Sequence, residues 1–310
     1  MSIPKRHHIL PEFYLNGFCL EGKLSLYDRE LAEYRLQTPQ NTTVQTGYYS
    51  FRDESGELIT GIESALAELD GRAGPIIEKL GKRLPINIEE RQILSIFVAL
   101  MRVRIPDFEK EVGELTDTFY KDVNRIVFST EETTKEVLAE IEAETGESLQ
   151  ITPKEIMQVV KNGQYEVVTE RLHSLGLMFP IAEDIAKDLF QMDWLVAFSP
   201  LDSSFITTDN PFTIVPPIDY DPRGHRGVGI VTPGAQKQFP LSQSACLVML
   251  DRGARVYFLD LDKSQVRQIN RNSATNCDRF VIARDEHLLR SIVSVTGVDR
   301  SKRRRKWRTS

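Results

Sequence analysis

At 310 residues, 41% hydrophobic and 27% charged, the chain is long enough for one large or two modest cores, and it carries no bias on the scale of disorder. The longest apolar run, ILSIFVALM at 93 to 101, is about half of what a bilayer span needs, and MSIPKRHHILPEF has no continuous apolar core of the kind a secretory signal uses. No membrane association and a cytoplasmic location are therefore expected. The formal charge of −6 argues against broad, non-specific duplex binding by the body of the protein.

In chain order, the first 52 residues read as a loop followed by short strands. KLSLYDR at 23 to 29 alternates as a half-buried strand does, and the aromatic GYYSF at 47 to 51 is its expected partner. From residue 58 the period becomes helical, with Leu58, Ile62, Leu66, Leu69, Ile76, Ile77 and Leu80 recurring at three or four. Gly71, Gly74 and Pro75 predict a kink or a break in that run. Residues 88 to 104 form a more apolar helix that must stop before Pro106, because proline disfavours the helical conformation in the residue preceding it.

Residues 107 to 191 are charged and helical in pattern, a helical excursion over the core. Within them Thr152 and Pro153 read as an N-cap followed by proline at the first helical position, and Gly163 as the stop. After Gln191 the composition turns to strands: MDWLVAFS, SFITT, QKQFPL, ACLVML and RVYFLDL. A helix capped by Asp262 or Ser264, a strand DRFVIAR and a last helix from about Asp285 follow. The predicted fold is α+β: a helical subdomain packed on a mostly antiparallel sheet from the C-terminal third, with short N-terminal strands, as one domain over residues 1 to 300.

The last ten residues, SKRRRKWRTS, are set apart by charge. Setting aside Lys302, Arg303, Arg304, Arg305, Lys306 and Arg308 from the 39 basic residues leaves 33 against 45 acidic ones, a body at −12. With Trp307 among them, this basic tail of residues 302 to 308 reads either as a segment that meets phosphates and stacks a base, with nucleic acid or an acidic partner, or as a solvated terminus resting on its own acidic body. Arg305 and Trp307 are its candidate ligand contacts.

The cysteines, Cys19, Cys246 and Cys277, are too few and scattered for a disulfide framework or a Cys-x-x-Cys site, and read as buried free thiols. There is no Walker loop, no His-Glu-x-x-His pair and no Gly-x-Ser-x-Gly elbow, and Gly227-Val228-Gly229 is not a dinucleotide fingerprint. The carboxylates and lysine of IPDFEKE are wrongly spaced for a restriction-type nuclease, and Asp260 and Asp262 fit a strand end leading into a helix cap.

Two segments carry the most specific pattern, KRHHILPEFYLNGF at 5 to 18 and FITTDNPF at 205 to 212. Together with LYDR, GYYSF, IESALAELD, ALMRVRIPDF, DWL, FPLS and VRQIN in that order, the chain resembles the domain of unknown function 4238 family over roughly residues 5 to 284. That family is mostly bacterial and has no assigned activity, so the resemblance implies pattern and not mechanism. It points to His7, His8, Pro11, Tyr14 and Leu15, to Arg104 and Pro106, to Trp194, and to Asp209, Asn210 and Pro211. Glu63 fits its acidic spacing, and Asp70 stands where glutamate is more usual. The helical excursion and the basic tail lie outside what the resemblance supports.

Chemically, adjacent histidines in an extended segment point opposite ways, so one of His7 and His8 is the candidate base or ligand and the other a structural or solvated group. Asp209 and Asn210, before a proline, either build a turn or place a carboxylate at a sheet edge. Arg104 can fork onto a carboxylate or phosphate, or form a buried pair with Glu63 or Asp209. Glu63 and Asp70, two helical turns apart on one face, flank a site or face solvent. Two functions follow. One is a non-catalytic intracellular binding or sensor protein, with His7, Tyr14 and Asn210 as ligand contacts. The other is a metal-assisted phosphoester hydrolase using His8, Glu63, Arg104 and Asp209. The sequence assigns no metal, cofactor or oligomeric state.

Overall fold

A computed structural model of the chain describes residues 6–49, 51–52, 58–59, 61–221 and 227–298. The basic tail, with Arg305 and Trp307, lies outside the described residues. The described residues form two compact units, one made of those up to Ile105 together with those from Met178 on, the other of Pro106–Leu177.

The first unit is α+β. It opens with β1 (His7–His8), the short helix α1 (Glu12–Asn16), β2 (Leu24–Asp28), β3 (Glu33–Gln37), β4 (Val44–Gln45), β5 (Phe51–Arg52) and β6 (Leu58–Ile59). β2 does not pair with the aromatic GYYSF segment as its alternation suggested; it pairs with β3, with Leu24 opposite Gln37. The reason is local: the Asp28 carboxylate accepts from the Glu30 and Leu31 amides at 3.0 and 3.2 Å, an Asx turn that folds the next residues back. β2 is also buried along its whole length, not on one face, because it is an inner strand.

Helix α2 (Gly61–Gly81) runs unbroken through Pro75 and is followed by α3 (Ile88–Val103). An interior proline costs a helix about 3 kcal/mol. Burying Ala73, Ile76, Ile77 and Leu80 on the packed face outweighs that at roughly 1.5–3 kcal/mol for each large side chain. α3 starts on a reciprocal capping box between Asn87 and Glu90 and buries Leu94, Phe97, Val98 and Met101. Arg104 is its C-cap.

In the second unit, α4 (Pro106–Val127), α5 (Glu131–Thr145) and α6 (Pro153–Asn162) each bury part of their apolar face, at Phe108 and Val112, Leu138 and Val160. Thr152 and Glu155 form the capping box at the start of α6, Pro153 holds the first helical position, and Gly163 ends the helix in the left-handed conformation at φ 63°. The boundary between the units falls inside α7 (Arg171–Gln191).

From there the first unit continues with β7 (Met192–Phe198), β8 (Thr207–Thr208), β9 (Thr213–Val215), β10 (Gln236–Pro240), β11 (Ala245–Arg252) and β12 (Val256–Asp260). It closes with α8 (Lys263–Thr275), β13 (Phe280–Ala283) and α9 (Glu286–Thr296). Among the described residues these strands enter two sheets rather than one, beside the two-stranded pairs β1-β4 and β5-β6. The order β12-β7-β11-β10-β9 is antiparallel except for β12, which runs parallel to β7, and the order β3-β2-β13-β8 is antiparallel throughout. SFITT contributes only Thr207–Thr208 as strand.

α8 serves both sheets: Val266 and Ile269 pack with Ala197, Phe205 and Val248, while Ala274 packs with Tyr27, Ile206, Val281 and Leu289. Asp262, not Ser264, caps it. Cys246 and Cys277 are buried, Cys19 is half-buried, and all three thiols are free. Among the described residues no helix is long and apolar enough to cross a membrane.

Candidate functional site

The first motif is held in place by short-range backbone rules. β1 pairs antiparallel with β4, His7 opposite Gln45 and His8 opposite Val44, so the two imidazoles leave the strand on opposite sides. His7 is fully buried and stacks on Tyr49, with ring centroids 5.6 Å apart. Its Nδ1 accepts the Tyr49 amide hydrogen at 2.8 Å, which puts the ring proton on Nε2. Glu63 Oε2 lies 3.3 Å from that Nε2 but out of line for a hydrogen bond, so the nitrogen keeps an unspent donor. His8 is half-buried and its Nε2 donates to the Gln40 carbonyl at 3.1 Å.

Tyr14 ties the two conspicuous segments together. Its hydroxyl meets Thr207 Oγ1 at 2.8 Å and donates to the Pro240 carbonyl at 2.9 Å. Burial pushes that phenol far above its ordinary pKa, so it stays a neutral structural link. Gly17 completes the junction. A Cβ there would sit 3.1 Å from the Tyr14 carbonyl and 3.4 Å from that of Leu241, where Gln243 N donates to Gly17 O.

Arg104, at the end of α3, has a side chain only 1% exposed. Its Nη1 donates to Asp70 at 3.0 and 3.3 Å, and its carbonyl accepts from the Tyr49 hydroxyl at 3.1 Å. Burial raises the Asp70 carboxyl, opposed by the charge and hydrogen bond of Arg104. The partner is thus Asp70, one of the two carboxylates spaced two turns apart on α2, and neither Glu63 nor Asp209. The other edge of the guanidinium, Nε with Nη2, is buried and bonded to nothing among the described residues.

These groups line one cleft of about 260 Å³, together with Glu12, Phe13, Pro11, Leu66 and Ala67. His8, Glu63 and Arg104 are therefore brought to one place, and Asp209 is not. Its carboxylate accepts the backbone hydrogens of Asp278, Arg279 and Phe280 at 3.1, 2.7 and 3.0 Å, pinning the start of β13. Burial lifts its pKa to about 7 against the pull of those amides. Thr208 Oγ1 donates to the Asn210 carbonyl at 2.7 Å, and Asn276 donates to the Asn210 and Phe212 carbonyls, so TTDNP is a turn locked by its own side chains.

A larger cleft of about 460 Å³ lies between α8 and α9, but its cations already have partners. Lys263 pairs with Asp202, Arg267 donates to Ser291, and Arg284 contacts Ser204 and Asp285. Among the described residues, no three His, Cys, Asp or Glu side chains gather as a metal site requires.

A model of the family described as protein of unknown function DUF4238 matches residues 6–287. The chain belongs to that family. No curated protein and no solved structure matches it. The DUF4238 match includes the helical excursion, which the motif order alone did not cover.

Sequence reasoning missed Tyr49 and Glu12 as members of the cleft. Tyr49 had a signal, its place in the aromatic GYYSF cluster; Glu12 had only its position inside the first motif. The Asp28 cluster was also missed. That buried carboxylate takes Arg35 of the neighbouring strand at 2.6 Å and Arg279, far along the chain, at 2.8 Å. Burial pushes the Asp28 carboxyl up, but the Arg279 and backbone hydrogen bonds outweigh it and hold it below the usual range.

Proposed function

We propose that this protein is a non-catalytic binding or sensor module whose ligand presents an oxyanion to the cleft of His7 and Arg104. The observation that carries the reading is that three buried N–H groups there make no hydrogen bond among the described residues: Arg104 Nε and Nη2, and His7 Nε2, which has the Glu63 carboxylate beside it at 3.3 Å but out of line. Leaving a buried polar group unpaired costs about 1–3 kcal/mol, and more when it is charged. A guanidinium fork is complementary to a planar oxyanion, which supplies the missing acceptors.

Catalysis is the weaker reading because the groups it needs are committed elsewhere. Asp209 is spent on three amides, His8 gives Nε2 to a carbonyl, and Asp70 is bound to Arg104. A bacterial, cytoplasmic setting and a nucleic-acid or acidic partner for residues 302 to 308 complete the reading; the first is what the family resemblance implies, and the others rest on composition and on the tail's charge.

The test is thermal unfolding with acetate, inorganic phosphate and divalent cations, on the wild type, Arg104→Gln, His8→Ala and Asp209→Ala. An anion-dependent rise in Tm that Arg104→Gln removes supports the binding module. A cation-dependent rise that both His8→Ala and Asp209→Ala remove supports the metal-assisted phosphoester hydrolase instead. For the tail, quenching of Trp307 fluorescence by a single-stranded oligonucleotide, weakening with salt, is the expected result.

A further inference from the structure

Charge in the cleft is graded from floor to rim. The floor holds His7 and Arg104, with side chains 0% and 1% exposed, whereas Asp70 is 19% and Glu63 37% exposed, and Glu12 is exposed at the surface. Arg104 is the one permanent cation among the lining residues, against the carboxylates of Glu12, Glu63 and Asp70. A dianion such as phosphate would gain one guanidinium and face three like charges. A planar monocarboxylate matches the Nε and Nη2 edge, which this protein already uses twice for carboxylates. Arg255 presents it to Asp193 and Arg279 presents it to Asp28.

A carboxylate alone would still leave the acidic rim unanswered. A ligand that also carries an ammonium group would place it against Glu12 and Glu63, and Phe13, Leu66 and Ala67 offer an apolar wall for a small side chain. The volume of about 260 Å³ is below that of drug-sized sites and suits a ligand of few heavy atoms.

We propose that the cleft takes a small zwitterion of the amino-acid class, its carboxylate on Arg104 and His7 and its ammonium toward Glu12 and Glu63. This rests on the binding reading above and narrows it. The glutamate–histidine contact at the rim would open as the ligand carboxylate takes over His7 Nε2.

The experiment is thermal shift followed by calorimetry on the full chain, with each of the twenty common amino acids, propionate, ethylamine and inorganic phosphate. At least one amino acid is expected to bind about tenfold or more tighter than propionate, with ethylamine and phosphate silent. Glu12→Gln, an exposed change that leaves folding alone, should shrink the preference for the amino acid over its des-amino analogue, and Glu12→Gln with Glu63→Gln should erase it. Arg104→Lys, which keeps the charge and loses the fork, should remove both. If propionate or phosphate binds as tightly as any amino acid, or if the glutamine variants leave the preference intact, the zwitterion is wrong while the oxyanion reading stands. If no probe shifts the wild type, both fall.

Discussion

Two arginines in this fold meet carboxylates that are wholly or mostly buried, and they end differently. Arg279 spends its Nε and Nη2 on Asp28 and its Nη1 on Glu30, while its backbone hydrogen goes to Asp209. Arg104 spends one nitrogen on Asp70 and leaves the same fork buried and unbonded among the described residues, beside a cleft that it helps to line. Arg104 lies in a segment on which the family resemblance rests, and so does Asp28, the partner of Arg279. The first arginine is saturated and reads as architecture, a clamp across β2, β13 and the TTDNP turn. The second is unsaturated, and the difference teaches that a charge inside a fold points to a ligand only where its hydrogen-bonding capacity exceeds what the chain supplies.

The contrast can be broken at its saturated end first. Asp209→Ala strips the acceptor from three amides and is expected to cost about 3–5 kcal/mol, measured by urea denaturation. A loss within experimental error would remove Asp209 from the architecture.

Its titration gives a second handle. The folded carboxyl titrates at about 7, above the ordinary value of roughly 3.9, so the folded state holds a proton that the unfolded chain has released. Stability from this group is therefore full below about pH 4 and is lost as pH rises to about 7. Melting curves of the wild type and Asp209→Asn should converge or cross in that window, the wild type losing ground as pH rises; a constant gap would refute the assignment.

Tyr14→Phe comes next, with an expected loss of about 1–2 kcal/mol in equilibrium unfolding, because Thr207 and the Pro240 carbonyl lose a buried partner. At the unsaturated end the stability effects are the smallest. Arg104→Lys keeps a cation near Asp70 but gives up the Nη1 hydrogen bond to it along with Nε and Nη2, which bond to nothing among the described residues, and should cost about 1 kcal/mol while abolishing anion binding in calorimetry. A large destabilisation with binding retained would make Arg104 structural, like Arg279.

Much of the fold could be read along the chain. The N-cap at Thr152, a cap at Asp262 or Ser264 and the stop before Pro106 are local rules, settled by side chains reaching the nearest backbone amides or by a ring clash one residue away. The histidine pair was legible in the same sense, since alternation in an extended strand separates neighbours. What failed were competitions between signals, which a pattern along the chain does not rank. The partner of β2 was fixed by an Asx turn competing against an aromatic segment, and Pro75 was carried by the buried face of its helix. The partner of Arg104 is Asp70, neither of the two carboxylates, Glu63 and Asp209, that the sequence offered for it.

By itself, then, the sequence determined the α+β class, the family, the helix ends and the two segments around which the polar residues gather, because composition, periodicity and capping act within a few residues. Tertiary structure alone decided that Arg104 meets Asp70, that Asp209 is consumed by the amides of β13, and that His7 and Arg104 share one cleft. Those outcomes depend on which buried donors reach acceptors across long loops of chain, and that is a matter of position in space, which no spacing along the chain encodes.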